Sequence, residues 1–473
     1  ITEQRGNPPA AGQTPGAGGT PGATVPFGIV PQPAYPNYVV PGSGGVVTGP
    51  VLVPACDPVG SGMAIPVSPS APSVTPGQPV MSPAVRLDDP YLAPYNPLLP
   101  RARNAVAGLF AQPLLADRLT LGGEYLLWFV RAQDTPPLLS TSSPQYNGIL
   151  GTGDSRVIYG NQAVTDTLHS GARFSAAYRL SNLWTAEGNV WFLGRNAGEF
   201  VANSNQYPVI ARPFFDVNNN RNSAQLVAAP NLAIGAATIN YDTSLWGAEA
   251  NLRRAFLCGP SSHLDLLVGF RNFNLGETLQ ITEQFARTPN SNTGIGVPTA
   301  LSGTVVDRFR AENHFYGVNL GLAGELRRGW WFVQGRAAVG LGSIYQSAQI
   351  DGSQTIVTTT GVQSAQGGLL ALPGANIGSY NQTKFGVIPE VGLTLGLYLT
   401  PNLRFGVGYN FMYVNSVIRP SGLIDPGLDV RRIPNFPMSP TPPATSSVRP
   451  SSFPFHTNDF FVQGVSFSLT WTW

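Results

Sequence analysis

From residue 118 onward, apolar and polar positions alternate with a period of two. In Leu403, Phe405, Val407, Tyr409, Phe411 and Tyr413 every second side chain is large and apolar, with Arg404, Gly406, Gly408 and Asn410 between them. A β-strand places residues i and i+2 on one face, so this run predicts a strand with one greasy face and one small or polar face. Phe385 to Leu399 reads the same way, with Gly386, Glu390, Gly392, Thr394 and Gly396 opposite. So do Leu264, Leu266, Val268 and Phe270 against His263, Asp265, Gly269 and Arg271. The pattern marks out ten segments: 118–131, 169–179, 184–195, 237–257, 263–286, 304–326, 330–350, 383–399, 403–419 and 458–473.

The connections alternate in length. Leu180–Leu183, Cys258–Ser262, Arg327–Gly329 and Thr400–Asn402 are short, whereas those near 132–168, 196–236, 287–303, 351–382 and 420–457 are long. Long loops are uncommon inside compact domains. They are expected in outer-membrane barrels, which have short periplasmic turns, long external loops and an even strand number. The chain therefore reads as all-β: a ten-stranded antiparallel transmembrane β-barrel over 118–473, with long extracellular loops and both barrel ends on the periplasmic side. In the last segment Phe467, Leu469, Trp471 and Trp473 alternate with small polar residues, and the run ends on an aromatic. This looks like the terminal β-signal of bacterial outer-membrane proteins. Trp184, Trp330, Trp331, Tyr398, Trp471 and Trp473 are expected at membrane boundaries, where aromatic girdles form.

Composition adds a second region. Only 11% of residues are charged, against roughly 25% in soluble domains. The net charge of +2 argues against nucleic acid as the main partner. No apolar run is long enough for a transmembrane helix. Proline and glycine crowd residues 1–117, where Glu3, Arg5 and Asp57 are the charged residues among the first eighty. That composition predicts an extended tail, expected to be periplasmic. Either it lies on the barrel or a neighbouring subunit through Tyr35, Tyr38, Tyr91 and Tyr95, or it is a flexible spacer. Residues 101–117 read as a short helix or irregular lead-in. The start at Ile1, with no basic and apolar leader, is expected of the mature form of an exported protein. Cys56, in the tail, and Cys258, in a short turn, would share an oxidising compartment. They could pin the tail to the barrel base as a disulfide, stay free, or pair between chains.

Several runs carry a family resemblance: Gly123-Glu124-Tyr125-Leu126-Leu127-Trp128 with Thr135-Pro136-Pro137-Leu138, Ser170-Gly171-Ala172-Arg173-Phe174, Trp246-Gly247-Ala248-Glu249, and Leu264 through Arg271. They resemble the planctomycete outer-membrane β-barrel porin-like family over about residues 118–473. The resemblance implies an outer-membrane barrel and says little about cargo.

With the aromatic face towards lipid, the opposite face carries Glu124, Arg173, Glu187, Arg195, Glu249, Arg253, Asp265, Arg271, Glu325, Arg336, Glu390 and Arg404. A small barrel is nearly filled by its own side chains. The expectation is thus an ion-pair network filling the lumen, with a narrow polar conduit as the alternative. Other chemistry is thinner. Asp307, His314 and His169 lie near the predicted outer rim, where a hydrolytic site would need them together, but they and the remaining His263 and His456 sit in no motif. Asp216-Val217-Asn218-Asn219-Asn220 starts like a Ca²⁺ loop but has Arg221 and Val227 where glycine and a bidentate glutamate belong, so an Asn-rich turn is expected. Gly42-Ser43-Gly44-Gly45 lacks the strand and helix of a phosphate loop. No metal or cofactor is expected. The functional expectation is a structural or assembly barrel of the envelope, in contact with outer-membrane lipid and forming a homo-oligomer or envelope assembly through its tail. A narrow porin for small solutes is the alternative, and a rim-site enzyme a third reading.

Overall fold

A computed structural model describes residues 118–161, 163–164, 167–288, 301–434 and 456–473. The expectations for residues 1–117, including Cys56 and the tyrosine anchors, lie outside them. Eighteen strands follow in chain order: β1 (Leu119–Val130), β2 (Gln133–Asp134), β3 (Leu139–Thr141), β4 (Arg156–Tyr159), β5 (Ala163–Val164), β6 (Thr167–Arg179), β7 (Trp184–Asn203), β8 (Ile210–Asp216) and β9 (Arg221–Ala228), then β10 (Ala233–Cys258), β11 (Ser262–Arg287), β12 (Ser302–Arg328), β13 (Trp331–Thr358), β14 (Gly361–Gln366), β15 (Gly378–Tyr398), β16 (Leu403–Ile418), β17 (Gly427–Leu428) and β18 (Thr457–Thr472). Among the described residues, no helix is long and apolar enough to cross a membrane.

Ten of these strands form an antiparallel ring in the order β1-β6-β7-β10-β11-β12-β13-β15-β16-β18, and β18 pairs back onto β1. They are the ten segments expected from the alternation, with ends moved by a few residues. The ring is lopsided. β10 to β13 have 26 to 28 residues each, whereas β1 and β6 have 12 and 13.

Along each tall strand the two faces exchange character. Near the short turns, β12 exposes Val318, Leu320, Leu322 and Leu326 and turns Asn319 and Glu325 inward. Past Tyr316 its outer face carries His314, Glu312, Arg310 and Arg308, while Phe315, Ala311 and Phe309 are buried inside. β11 behaves alike. Leu266, Val268 and Phe270 are exposed, then Asn272, Thr278, Gln280 and Gln284 take the outer face, and Phe273, Leu275, Leu279 and Ile281 are buried. β11 and β12 pair without a register shift, so side-chain parity is constant along them; what switches is the residue type.

Two apolar layers result inside the ring. The first crosses it as a septum, with Trp128, Trp191, Phe273, Phe315, Ile344, Ile388, Met412, Phe460 and Val462 among its members and nine of the ten ring strands contributing. Its aromatics are in contact: Trp128–Trp191, Trp191–Phe273 and Phe273–Phe460 have ring centroids 5.4, 6.3 and 6.2 Å apart. Glycines facing inward make room for them. A Cβ on Gly247 would stand 2.8 Å from the Trp191 ring, and one on Gly464 2.7 Å from Trp128. Part of the inward glycine that the sequence reading gave to a polar lumen is thus space for indoles.

The second layer lies beyond the septum, towards the long connections. Those connections hold structure where exposed loops were expected over 132–168 and 196–236. β17, β8, β3 and β4 form a sheet in that order, with β9 also on β8. Leu139, Ile210, Phe214, Val227, Leu370 and Leu428 from four connections pack on Ile239, Ile281, Phe309 and Ile350 of the tall strands. The result is a cap with a dry core, folded onto the inner face of the tall wall. Salt links fasten it. Arg419, from the last long connection, grips Glu277 through Nε at 2.9 Å and Nη2 at 2.5 Å. It also donates to the carbonyls of Arg131 and Ala132 at 2.8 and 3.1 Å.

Gly247→Val should force Trp191 out of place and lower stability by about 1–3 kcal/mol. Gly276→Ala should change it by less than about 0.5 kcal/mol, since a Cβ there meets nothing within 4 Å. Urea unfolding midpoints followed by tryptophan fluorescence would separate the two variants.

Candidate functional site: an ionic chamber behind the septum

Between the septum and the short turns the interior is polar. Inward positions of β1, β6, β7, β10, β11, β13 and β15 supply charges that meet across the ring. Arg173 lies 3.4 Å from Glu124 and 3.7 Å from Glu390. Arg271 reaches Glu249 at 2.8 Å and Glu390 at 2.5 Å. Arg336 bridges Glu249 and, at 3.2 Å, Glu187. Arg253 then joins Glu187 at 3.1 Å and Asp265 at 2.7 Å. These groups make one unbroken chain of alternating charge from Glu124 to Asp265. Arg404 and Glu325 form a separate pair at 2.9 Å, to which the Tyr398 hydroxyl donates at 3.0 Å. Tyr398, expected in a lipid-facing girdle, therefore points inward.

Eleven of the twelve lumen candidates meet here, and Arg195 does not. Its side chain is 76% exposed and pairs with Asp242 on the outer face at 2.5 Å. The cause is a bulge: the β7–β10 register shifts between Thr243 and Leu245, which face Asn196 and Leu193. One extra residue in β7 sends the next side chain to the other face. Alternation alone could not locate that slip. Asn251 and Asn319, which sequence reasoning passed over, donate to Glu249 at 3.1 and 3.2 Å. They share the inward parity of the charged residues, a signal that was present.

The network does not fill the interior. A cavity of about 170 Å³ remains, lined by Glu124, Arg173, Glu187, Asn189, Arg336, Glu390 and Thr394 among others, and it reaches Thr120, Arg404 and Thr470 beside the short turns. None of its lining residues belongs to the septum. The chamber is an ionic vestibule beside the short turns, and its lining contains no histidine or cysteine.

The other candidates scatter. Asp307 is buried inside the cap and His314 stands on the outer face of the same strand, while His169 is buried on β6. The three are not brought together. Asp216 accepts from the backbone N–H groups of Asn218 and Asn219 at 3.0 and 3.3 Å, which makes it the cap of an Asn turn between β8 and β9. Among the described residues, no group of three or more His, Cys, Asp or Glu is placed to hold a metal ion. Cys258 ends β10; its expected pairing with Cys56 lies outside the described residues.

Asp307 has a structural task. It takes Arg212 at 2.5 Å and the backbone N–H groups of Leu370 and Ala371 at 3.0 and 2.7 Å. Arg212 also meets Glu283 at 3.4 Å. Glu283 lies near the cap end of β11, well past the exposed apolar stretch 264–270. Burial and the neighbouring Asp307 carboxylate push its pKa up to about 7, against the pull of Arg212 and the Gln225 amide.

Removing one member of a buried pair costs about 3–5 kcal/mol, because its partners stay charged and unmatched. Arg271→Met, which leaves Glu249 with Arg336 alone and Glu390 with Arg173 at 3.7 Å, should lower stability by an amount at the low end of that range, about 3 kcal/mol, in urea melts. Arg195→Met, at an exposed pair, should cost no more than about 1 kcal/mol. Folded-state Glu283 binds its proton more tightly than the unfolded chain does. Its contribution to stability should therefore be largest below about pH 4.5 and be lost as pH rises to about 7. Glu283→Gln should remove this slope, seen as urea midpoints that no longer fall between those pH values.

In the comparisons with known proteins, no curated protein matches the chain. The outer membrane protease OmpT from Escherichia coli aligns with a TM-score of 0.35 at 8% identity, covering 76% of this chain and 99% of that one. A TodX deltaS2S3 mutant, a monoaromatic hydrocarbon channel, gives 0.19 at 8% identity over 77% and 94%. A Pseudomonas aeruginosa FadL homologue gives 0.18 at 7% identity over 75% and 90%. Likenesses this weak carry no argument. The sequence family described as "Putative beta barrel porin-7 (BBP7)" matches residues 121–473, well over half of the chain and a part of every ring strand. The chain belongs to this beta barrel porin-7 family.

Proposed function

We propose that this protein is a bacterial outer-membrane β-barrel that does not conduct, a structural or assembly component of the envelope that carries a folded extracellular cap. The observation that carries this reading is the septum: buried side chains from nine strands cross the ring and separate the ionic chamber from the cap. Its members are at most 5% exposed, and close-packed buried side chains leave little room for a water-filled path.

The membrane reading rests on the outer belt. From Tyr316 to Leu326 the outward face of β12 is apolar apart from Gly324. Ten rises of about 3.4 Å, tilted by about 40°, span about 26 Å, matching the roughly 25 Å band of outer-membrane barrels. Trp246, Phe270, Tyr316, Tyr345 and Phe385 are exposed where that belt ends towards the cap, and Trp330, Trp331 and Trp471 where it ends at the short turns. In this reading the short turns and residues 1–117 are periplasmic, and the tail links the barrel to envelope partners or further copies. No catalytic role is assigned, since Asp307 and His314 occupy opposite faces of β12.

The family description favours a second reading, a narrow porin. Single-channel recording in planar bilayers decides between them. Full-length protein and a chain lacking residues 1–117 should both be silent. Steady unitary steps from both would establish the porin, and steps from the shortened chain alone would make the tail, and not the septum, the seal.

A further inference from the structure

Charge is sorted at the short-turn end of the ring. The acidic residues there, Glu187, Asp265 and Glu325, turn inward and pair with Arg253, Arg336 or Arg404. The charged side chains left exposed around the turns are all arginines: Arg118, Arg179, Arg254, Arg327 and Arg328. Among the described residues none of these five has a carboxylate partner. Two are held against aromatic faces, Arg254 over Trp184 at 5.7 Å and Arg327 over Tyr398 at 4.0 Å. The other end of the apolar belt differs. Its exposed face carries both signs, with Arg310 beside Glu312, Asp351 nearby, and Arg195 paired to Asp242.

A single-sign ring of unpaired guanidinium groups at one edge of an apolar belt needs an anionic counterpart at that depth. The guanidinium fork matches phosphate oxygens in a bidentate way, and tryptophans at the same level hold that edge in the headgroup layer. We propose that the short-turn rim is a binding girdle for phosphate-bearing, anionic phospholipid in the leaflet it meets. The proposal rests on the membrane reading above. Apolar tails would lie along the belt, and phosphates would sit on Arg254 and Arg328, which share the outward parity of Leu266 and Leu320, while Arg327 lies over the inward Tyr398. Such attraction grows with each arginine near the surface and is screened within a Debye length.

Full-length protein in detergent, offered equal phosphatidylglycerol and phosphatidylcholine and weighed by native mass spectrometry, tests this. Phosphatidylglycerol should be retained over phosphatidylcholine by on the order of tenfold, and the preference should fall at high salt. Arg254→Gln/Arg328→Gln should abolish the preference. Arg308→Gln/Arg310→Gln, on the cap side, should keep it, with both variants shown folded by circular dichroism. Equal retention of the two lipids, or equal loss in both variants, overturns the girdle. Displacement of bound phosphatidylglycerol by millimolar inorganic phosphate would mark a free-anion site and overturn the lipid assignment. Flotation with vesicles reports on the membrane reading separately: a protein that floats but shows no preference refutes only the girdle.

Discussion

Outside a bulge, a strand cannot change which side its next residue faces, yet each tall strand here passes from one surrounding medium to another. In the proposed setting the outer face meets hydrocarbon near the short turns and water beyond Tyr316 and Phe270. Residues at outward parity must therefore turn from apolar to polar within one step of the chain. The inward face follows in the opposite sense. Where the outside is apolar, the inside can hold Arg and Glu; where the outside is wet, only a buried apolar interior supplies the driving force for the strands to stay together. The ionic chamber, the septum and the cap are consequences of where that exchange falls.

This exchange also explains what the sequence made legible. Alternation located all ten ring strands, and inward parity gathered every lumen candidate but Arg195 into one chamber, because both depend only on local period. Phe309, Phe273 and Ile281 were less legible. Their apolar character looks the same whether the neighbour is lipid or another side chain, so nothing local announces an internal core. The cap strands β8 and β9 were missed for a related reason. Their partners, such as Asp307 and Ile350, are remote in the chain, and the segment between β7 and β10 reads by composition as a loop. Arg195 was misplaced by a bulge of one residue, which leaves no mark on the hydrophobic pattern.

The two sets of buried charge act differently. In the chamber four arginines, Arg173, Arg253, Arg271 and Arg336, each serve two carboxylates, so side chains are shared and little ordering is spent on any single pair. In the cap, Arg212 and Arg419 tie separate connections to the tall wall. Isolated buried pairs add little net stability over apolar packing, but these two also bind backbone groups, which fixes where the chain runs. Arg419 holds the carbonyls after β1, and Asp307 holds the N–H groups of Leu370 and Ala371. The pairs specify position, and the apolar core supplies cohesion.

The septum draws on both ends of the ring. Leu126, Trp128 and Val130 come from β1, and Phe460 and Val462 from β18, strands separated by most of the described chain. Until β18 is seated against β1, one side of the septum has no wall. The layer is therefore complete only when the two ends of the ring are paired. The same contact that joins the first ring strand to the last also supplies one wall of the buried septum, so closure of the sheet and closure of its interior are a single structural condition.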